Sequence, residues 1–386
     1  MQIPDYFKFY NKTRIISGKK ALENIPFELK NMDSVKPIVI TDKNCAESGL
    51  VKILQKAFGD SNLTIGAIFD DVTYPSIKKV KDAAFLFRER GCDSIIALGG
   101  ENVASVAKAV NIIVSSKKDD IEFLKELKDL HLKPLFFVAT SNISGLESSS
   151  KALIDNRAFE YQELMPDIAF IDPRMLKKNK DKKGLFANAI KAMVIAIEAC
   201  SEDSANPMND SFAFSSIQLI FENLTKAAKT FSCSKSRLGL AGGIAISGIV
   251  YSNANTGLCS ALSEELSKIT GFSSNIIFSI LLPHVLEYKL KNTKSGIRDE
   301  ILLPLAGLEK YSMTADKSEE GVSLIKNLIY NSPLPKSLKE LNIPLYKIED
   351  VADSLDKQFA KQYGKDAYKN ILFSAYEGKE LEGGKA

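Results

Sequence analysis

Up to about Asp172 the chain alternates short apolar, β-branched runs with stretches of helical period, and after Lys183 the strand runs stop. That change of texture constrains the fold more than any other feature. Pro37–Thr41 (PIVIT), Leu63–Phe69 (LTIGAIF), Ser94–Leu98 (SIIAL), Leu135–Ala139 (LFFVA) and Ile168–Ile171 (IAFI) read as buried strands. Ile77–Gly91 and Val103–Ser115, lying between them, carry helical period. Apolar strands separated by helices predict a parallel sheet with helices on both faces. Beyond Lys183, the segments Gly184–Cys200, Asp210–Thr230, Ser234–Ser252, Ser260–Ile269, Ile276–Lys291, Gly321–Asn331 and Ile348–Gln362 read as helices punctuated by Asn, Gly and Pro. The expected architecture is an α/β Rossmann-like domain over residues 1–176 followed by an all-α domain over residues 184–386. Lys177–Lys183 (KKNKDKK) reads as a solvated connector, and a cleft between the domains is the default site. The tail Glu377–Ala386 is expected to fray.

Composition removes several function classes. Lys and Arg number 51 against 48 Asp and Glu, a net charge of +3 with no basic footprint for nucleic acid. No apolar run reaches the ~18 residues of a membrane helix, and MQIPDYFKFY has no apolar core of a signal peptide. Cys45, Cys92, Cys200, Cys233 and Cys259 are odd in number and form no CxxC pair, which suits a reducing cytoplasm. There are 2 histidines, His131 and His284, too few for a multi-His metal site.

The polar strand ends are where chemistry is expected. Ser94–Ala107 reads SIIALGGENVASVA: a strand, Gly99-Gly100, then a helix start with Asn102 as a candidate N-cap. Glycines there let a phosphate approach the backbone, and the helix N-terminus favours an anion, although a tight turn also wants glycine. Thr140, Ser141, Asn142 and Ser144 follow the next strand, as ligand contacts or as a capped loop. Asp42 in VITDKN can accept from a ribose hydroxyl or cap a helix. Pro75 lies in DDVTYPS past a further strand end. Together these ends point to a mononucleotide or dinucleotide site.

The same residues, in the same order, resemble the iron-containing (group III) alcohol dehydrogenases of the dehydroquinate synthase-like superfamily. GGENVASVAKAV is similar to that family's GGGSxxDxAKA phosphate loop, ATSNISGLESS to its TTxGTGSE segment, and PDIAFIDPRML to its P-D-x-x-x-x-D-P stretch. AIEAC, NPMNDSFA, GIVYSNANTGL and ILLPHVLEY resemble its helical-domain signatures, and LPKSLKELNIPLYKIEDVADS its C-terminal helices. The resemblance implies NAD or NADP on the first domain, hydride transfer between a small alcohol and an aldehyde or ketone, and a homodimer. By position it implies that Gly99, Gly100, Glu101 and Asn102 face the pyrophosphate, that Thr140, Ser141, Asn142 and Ser144 line the nicotinamide side, that Asp42 sits by the adenine ribose, and that Pro75 lies near the adenine. Asp42 favours NAD, because a carboxylate repels a 2′-phosphate. The chain departs from the pattern at Glu101, Asn102, Ser105, Ile143 and Leu146, and a carboxylate at Glu101 repels a pyrophosphate unless it turns away.

The larger departure is at the family's metal site. Its Asp and three His fall, by the resemblance, on Lys191, Ile195, Ser260 and Ser274, and its catalytic His on Glu264. Lysine, isoleucine and serine cannot supply an Fe²⁺ or Zn²⁺ ligand set, so no divalent metal is expected there. Lys191, Ile195 and Glu198 share one helix face. One expectation is a metal-free reductase with Lys191 as electrophile and general acid and Glu264 as its partner or proton relay. The other is a catalytically inactive, dimeric relative that binds a nucleotide or a partner, with Lys191 and Glu264 neutralising each other.

Overall fold

The computed structural model describes residues 3–116, 130–155, 157–176, 181–200, 205–230, 233–255, 257–291, 297–359 and 363–378. Residues 177–180 of the expected connector and the tail beyond Gly378 lie outside the described residues.

The α/β unit is built on a six-stranded parallel sheet. Its strands are β1 (Arg14–Ser17), β2 (Pro37–Thr41), β3 (Ala67–Phe69), β4 (Ser94–Gly99), β5 (Leu135–Ala139) and β8 (Ile168–Ile171), in the order β1-β8-β5-β4-β2-β3. A separate antiparallel pair, β6 (Lys151–Ile154) and β7 (Arg157–Glu160), turns at Asp155, whose φ is 47°. The helices are α1 (Ile25–Asn31), α2 (Lys43–Glu47), α3 (Leu50–Lys56), α4 (Ile77–Glu89) and α5 (Glu101–Ser115).

Period-two alternation explains why both faces of the sheet are covered. Ile38, Ile40, Ile95, Ala97 and Phe137 pack against Val80, Phe87, Val106 and Val110 of α4 and α5. Val39, Ile96, Leu98, Phe136, Val138 and Phe170 pack on the opposite face against Ile25, Leu29 and Leu54 of α1 and α3. Fully burying each of the Val, Ile, Leu and Phe side chains among these stabilises the fold by roughly 1.5–3 kcal/mol. Phe136 and Phe170 also meet edge to face at 5.6 Å.

Three readings of the sequence change here. The expected strand at Leu63–Phe69 pairs only over Ala67–Phe69, in register with Ile38–Ile40. Strands β1, β6 and β7 were not expected. Arg14–Ser17 is a short edge strand, and Lys151–Ile154 (KALI) and Arg157–Glu160 (RAFE) carry charge that masks an apolar pattern.

The helical part comprises α6 (Lys182–Ala199), α7 (Pro207–Lys229), α8 (Ser234–Tyr251), α9 (Leu258–Thr270), α10 (Ser274–Lys291), α11 (Leu302–Met313), α12 (Lys317–Tyr330), α13 (Leu345–Phe359) and α14 (Lys365–Glu377). Asp181 starts α6 by accepting from Gly184 N at 3.1 Å. Leu185, Ala189, Ile190, Val194 and Ala196 are buried around the whole circumference of α6, as a central helix requires. α9 and α10 pack against it. No helix among the described residues is long and apolar enough to cross a membrane.

Contacts divide the chain into two compact units. One is Tyr10–Lys180 with Thr225–Ser252; the other is Met1–Phe9, Asp181–Leu224 and Asn253–Ala386. Helix α8 therefore belongs with the sheet, although a linear division at residues 176/184 assigns it to the helical part. Gly248 is the physical reason. A Cβ there would stand 1.8 Å from Gly145 O, so only a bare backbone permits so close an approach.

Candidate functional site

In the α/β unit the sequence-predicted residues gather at one edge of the sheet. Strand β3 lies on one side of β2 and β4 on the other, so the chain reverses its winding between β2 and β4. Such a switch point is where open α/β sheets bind ligands. Register aligns Thr41 with Leu98 and Gly99 with Ala139, which brings Asp42, Gly99-Gly100 and Thr140 to the same carboxyl edge. Asp42 adjoins Gly99: a Cβ on Gly99 would lie 3.2 Å from Asp42 Oδ2. Asp42 also caps α2, its Oδ1 accepting from Cys45 N at 2.8 Å. The Cys45 thiol donates to Asp42 Oδ2 at 3.5 Å, and burial with this acidic neighbour pushes the thiol up to about 12.

Helix α5 begins at Glu101 with Gly100 as its N-cap, not Asn102. The reason is local: the Asn102 side chain donates outward to Thr73 O at 3.2 Å, beyond reach of the cap. Gly100 is also sterically required, since a Cβ would lie 2.9 Å from Asn142 O. Glu101 is half-buried in the first turn, where the helix dipole favours a carboxylate. Pro75 is buried, and its carbonyl accepts from Asp155 N at 2.9 Å.

Thr140 and Ser144 point inward. Thr140 Oγ1 donates to Gly99 O at 3.3 Å, and Ser144 N donates to Glu147 Oε1 at 3.0 Å. Ser141 and Asn142 are the half-exposed members of that loop.

Two buried charged residues beside this edge escaped the sequence reading. Lys108 is fully buried and donates to the carbonyls of Leu146, Ser149 and Lys151 at 2.7, 2.7 and 2.8 Å. Glu147, also fully buried, accepts from Gly145 N at 2.6 Å and from Ser144 N. Burial pulls the Lys108 ammonium down to about 7, opposed by the charges of Glu147 and Glu101. Burial pushes the Glu147 carboxyl up to about 7, opposed by the backbone N–H groups and by Lys108. Together the two residues tie the Ser144–Lys151 segment, just past that loop, to α5. A lone lysine on the apolar face of VASVAKAVNII was the available signal.

The helical unit gathers the second set. On α6, Lys191 is 6% exposed and Ile195 5%. Glu198, one turn further on, reaches the start of α9: its Oε1 accepts from Cys259 N at 2.6 Å and Ser260 N at 3.2 Å, and its Oε2 accepts from Ser260 Oγ. A carboxylate at that helix start satisfies orphan N–H groups and suits the dipole. Gly257 permits the approach, since a Cβ there would lie 2.3 Å from Glu198 Cδ. Burial pushes the Glu198 carboxyl up, offset by Lys289 and by the Ser260 hydrogen bonds. At the other end, Ser274 adjoins Asn275, whose amide donates to Asn188 Oδ1 of α6 at 2.8 Å. Lys191 and Ile195 thus lie on the stretch of α6 between its links to α10 and α9. Glu264 is exposed, one turn beyond buried Ser260.

The donor set does not fit an Fe²⁺ or Zn²⁺ ion. At the positions the resemblance assigns to ligands, Lys191 offers an ammonium, Ile195 a hydrocarbon, and Ser260 a hydroxyl already donated to Glu198. His284 is turned elsewhere, its Nδ1 3.1 Å from Ser374 Oγ, and His131 is exposed. Among the described residues no group of His, Cys, Asp and Glu is arranged to hold a metal ion. A nicotinamide dinucleotide fits the sheet edge better: Gly99-Gly100 and the α5 N-terminus suit a pyrophosphate, and Asp42 suits a ribose hydroxyl.

Residues 12–173 match the model of the iron-containing alcohol dehydrogenases, and residues 186–371 match the C-terminal model of the Fe-containing alcohol dehydrogenase family. The chain is 26% identical over 384 residues to "Alcohol dehydrogenase 4" of Saccharomyces cerevisiae, covering 96% of this chain and 98% of that one. It is 23% identical over 355 residues to the "NAD-dependent methanol dehydrogenase" of Bacillus methanolicus, covering 89% and 92%. The crystal structure of a 1,3-propanediol oxidoreductase superposes with a TM-score of 0.85 at 22% identity, over 96% of this chain and all of that one. Both halves match in order and at nearly full length: the chain belongs to the iron-containing alcohol dehydrogenase family.

Proposed function

We propose that the chain is an NAD-dependent oxidoreductase interconverting a small alcohol and an aldehyde or ketone without the family's divalent metal. The observation that carries this reading is the meeting of Asp42, Gly99-Gly100 and the α5 N-terminus at the switch point of the sheet. The relative named as NAD-dependent supports the cofactor class. Asp42 favours NAD over NADP by repelling a 2′-phosphate. Bound there, the cofactor would supply the hydride. Lys191 takes the metal's role: its ammonium polarises the substrate oxygen and holds a proton for it at Nζ. Glu264, on the solvent side of α9, partners Lys191 or relays that proton. We further propose a cytoplasmic homodimer.

Titration of NADH and NADPH followed by nicotinamide fluorescence tests the cofactor half of the proposal. NADH is expected to bind more tightly, and binding of neither removes the oxidoreductase reading. The catalytic half predicts that Lys191→Met lowers kcat by about a hundredfold or more; unchanged turnover sinks Lys191. Metal analysis is expected to find no stoichiometric Fe or Zn.

One observation favours a second reading, an inactive relative that binds a nucleotide or a partner. The Ser260 hydroxyl is spent on docking α9 to α6, a structural use of a former ligand position. NADH binding without turnover across small alcohols and aldehydes would select this reading.

A further inference from the structure

The helical unit contains a small cavity of about 30 Å³, lined in part by Glu198, Cys200, Cys259, Lys289 and Arg298. Glu198 is 5% exposed and Lys289 8%. Opposite charges withdrawn this far from water normally meet directly. Here they line one cavity, and among the described residues no direct ion pair joins them.

The other polar groups on the wall are already occupied. Arg298 donates to Asp210 at 2.9 and 3.0 Å, to Cys200 O at 3.2 Å and to Glu300 at 3.3 Å. The thiols of Cys200 and Cys259 are weak hydrogen-bonding groups. Glu198 is different. Its carboxylate offers about four lone-pair positions; Cys259 N, Ser260 N and Ser260 Oγ take three of them. Lys289 brings three ammonium donors. The volume exceeds the ~10–15 Å³ that one water needs.

We propose that this cavity is a built water site, in which one molecule accepts from the Lys289 ammonium and donates to the Glu198 carboxylate. The bridge lets the two charges compensate each other without contact. It keeps Glu198 aimed at the first turn of α9 and so keeps Ser260 docked on α6. The assignment concerns the helical unit alone and does not depend on the cofactor or the reaction.

Two measurements test it. In a high-resolution crystal structure of the unchanged chain, one water is expected within hydrogen-bond distance of both groups. A dry cavity, or Lys289 Nζ directly on Glu198, overturns the site. In a double-mutant cycle, Lys289→Met is expected to lower the Tm by about 5 °C or more, because it leaves a buried carboxylate without its counter-charge. On a Glu198→Gln background the same substitution is expected to cost less than half as much. Equal costs on the two backgrounds overturn the coupling. If Glu198→Gln does not fold, the crystal structure decides alone.

Discussion

Glu147 in the α/β unit and Glu198 in the helical unit are built alike and used differently. Each is buried, accepts two neighbouring backbone N–H groups and engages a serine hydroxyl. Glu147 acts locally, folding a turn two and three residues before itself. Lys108 beside it is satisfied by three carbonyls from the following segment, so the loop is fixed by a cation as well as an anion. Glu198 acts at long range, joining α6 to the start of α9. The comparison teaches that one buried carboxylate can close a turn or dock a helix, according to how far along the chain its N–H partners lie.

The comparison can be broken most directly at Lys108. Lys108→Met strips a donor from three carbonyls and a counter-charge from Glu147, and should cost about 4 kcal/mol in chemical denaturation. A cost under about 1 kcal/mol would mean that the loop is held without the cation.

Acid should distinguish the units through histidine. Burial pulls His284 down from 6.5 to about 4, so in the fold it stays neutral where the unfolded chain would protonate. Its contribution is therefore present above pH 6.5 and lost as pH falls towards 4, by about 3 kcal/mol over that window. Denaturation midpoints of His284→Gln against pH should show a flatter acid limb. Substitution of exposed His131 is the control, and an unchanged slope in His284→Gln counts against the assignment.

The two close approaches sharpen the contrast at the smallest scale. Gly248→Ala drives a Cβ onto the backbone carbonyl of Gly145 and should cost about 2–3 kcal/mol. Gly257→Ala meets the Glu198 side chain, which is not backbone but is held by three hydrogen bonds, and should cost about 1–2 kcal/mol. Thermal melts of both variants check the ranking; a reversed order would show Glu198 to be the more rigid contact.

Much of the fold was legible because its strongest signals are local. PIVIT, SIIAL, LFFVA and IAFI are strands buried on both faces, and a continuous apolar run announces that whatever packs on it. KALI and RAFE were missed because a short hairpin with charged residues has no such run. α11 and α14 were also missed, although α14 buries Tyr368, Ile371 and Leu372. Gly99-Gly100 and Asp42 could be picked out as strand ends, but their adjacency follows from β4 pairing with β2. Lys108 could not be assigned a role, because its partners lie in a loop and a hairpin that return to it from 38 to 43 residues away.

By itself the sequence determined the change from α/β to helical texture, the family, and the shortage of imidazole, two histidines in the whole chain, since each is a property of residue identity and order. Only the tertiary structure decided that α8 joins the sheet, that Gly100 rather than Asn102 caps α5, and that Ser260 is committed to Glu198. Those outcomes depend on which groups lose water and which partners reach them, and both are set by where the chain returns in space.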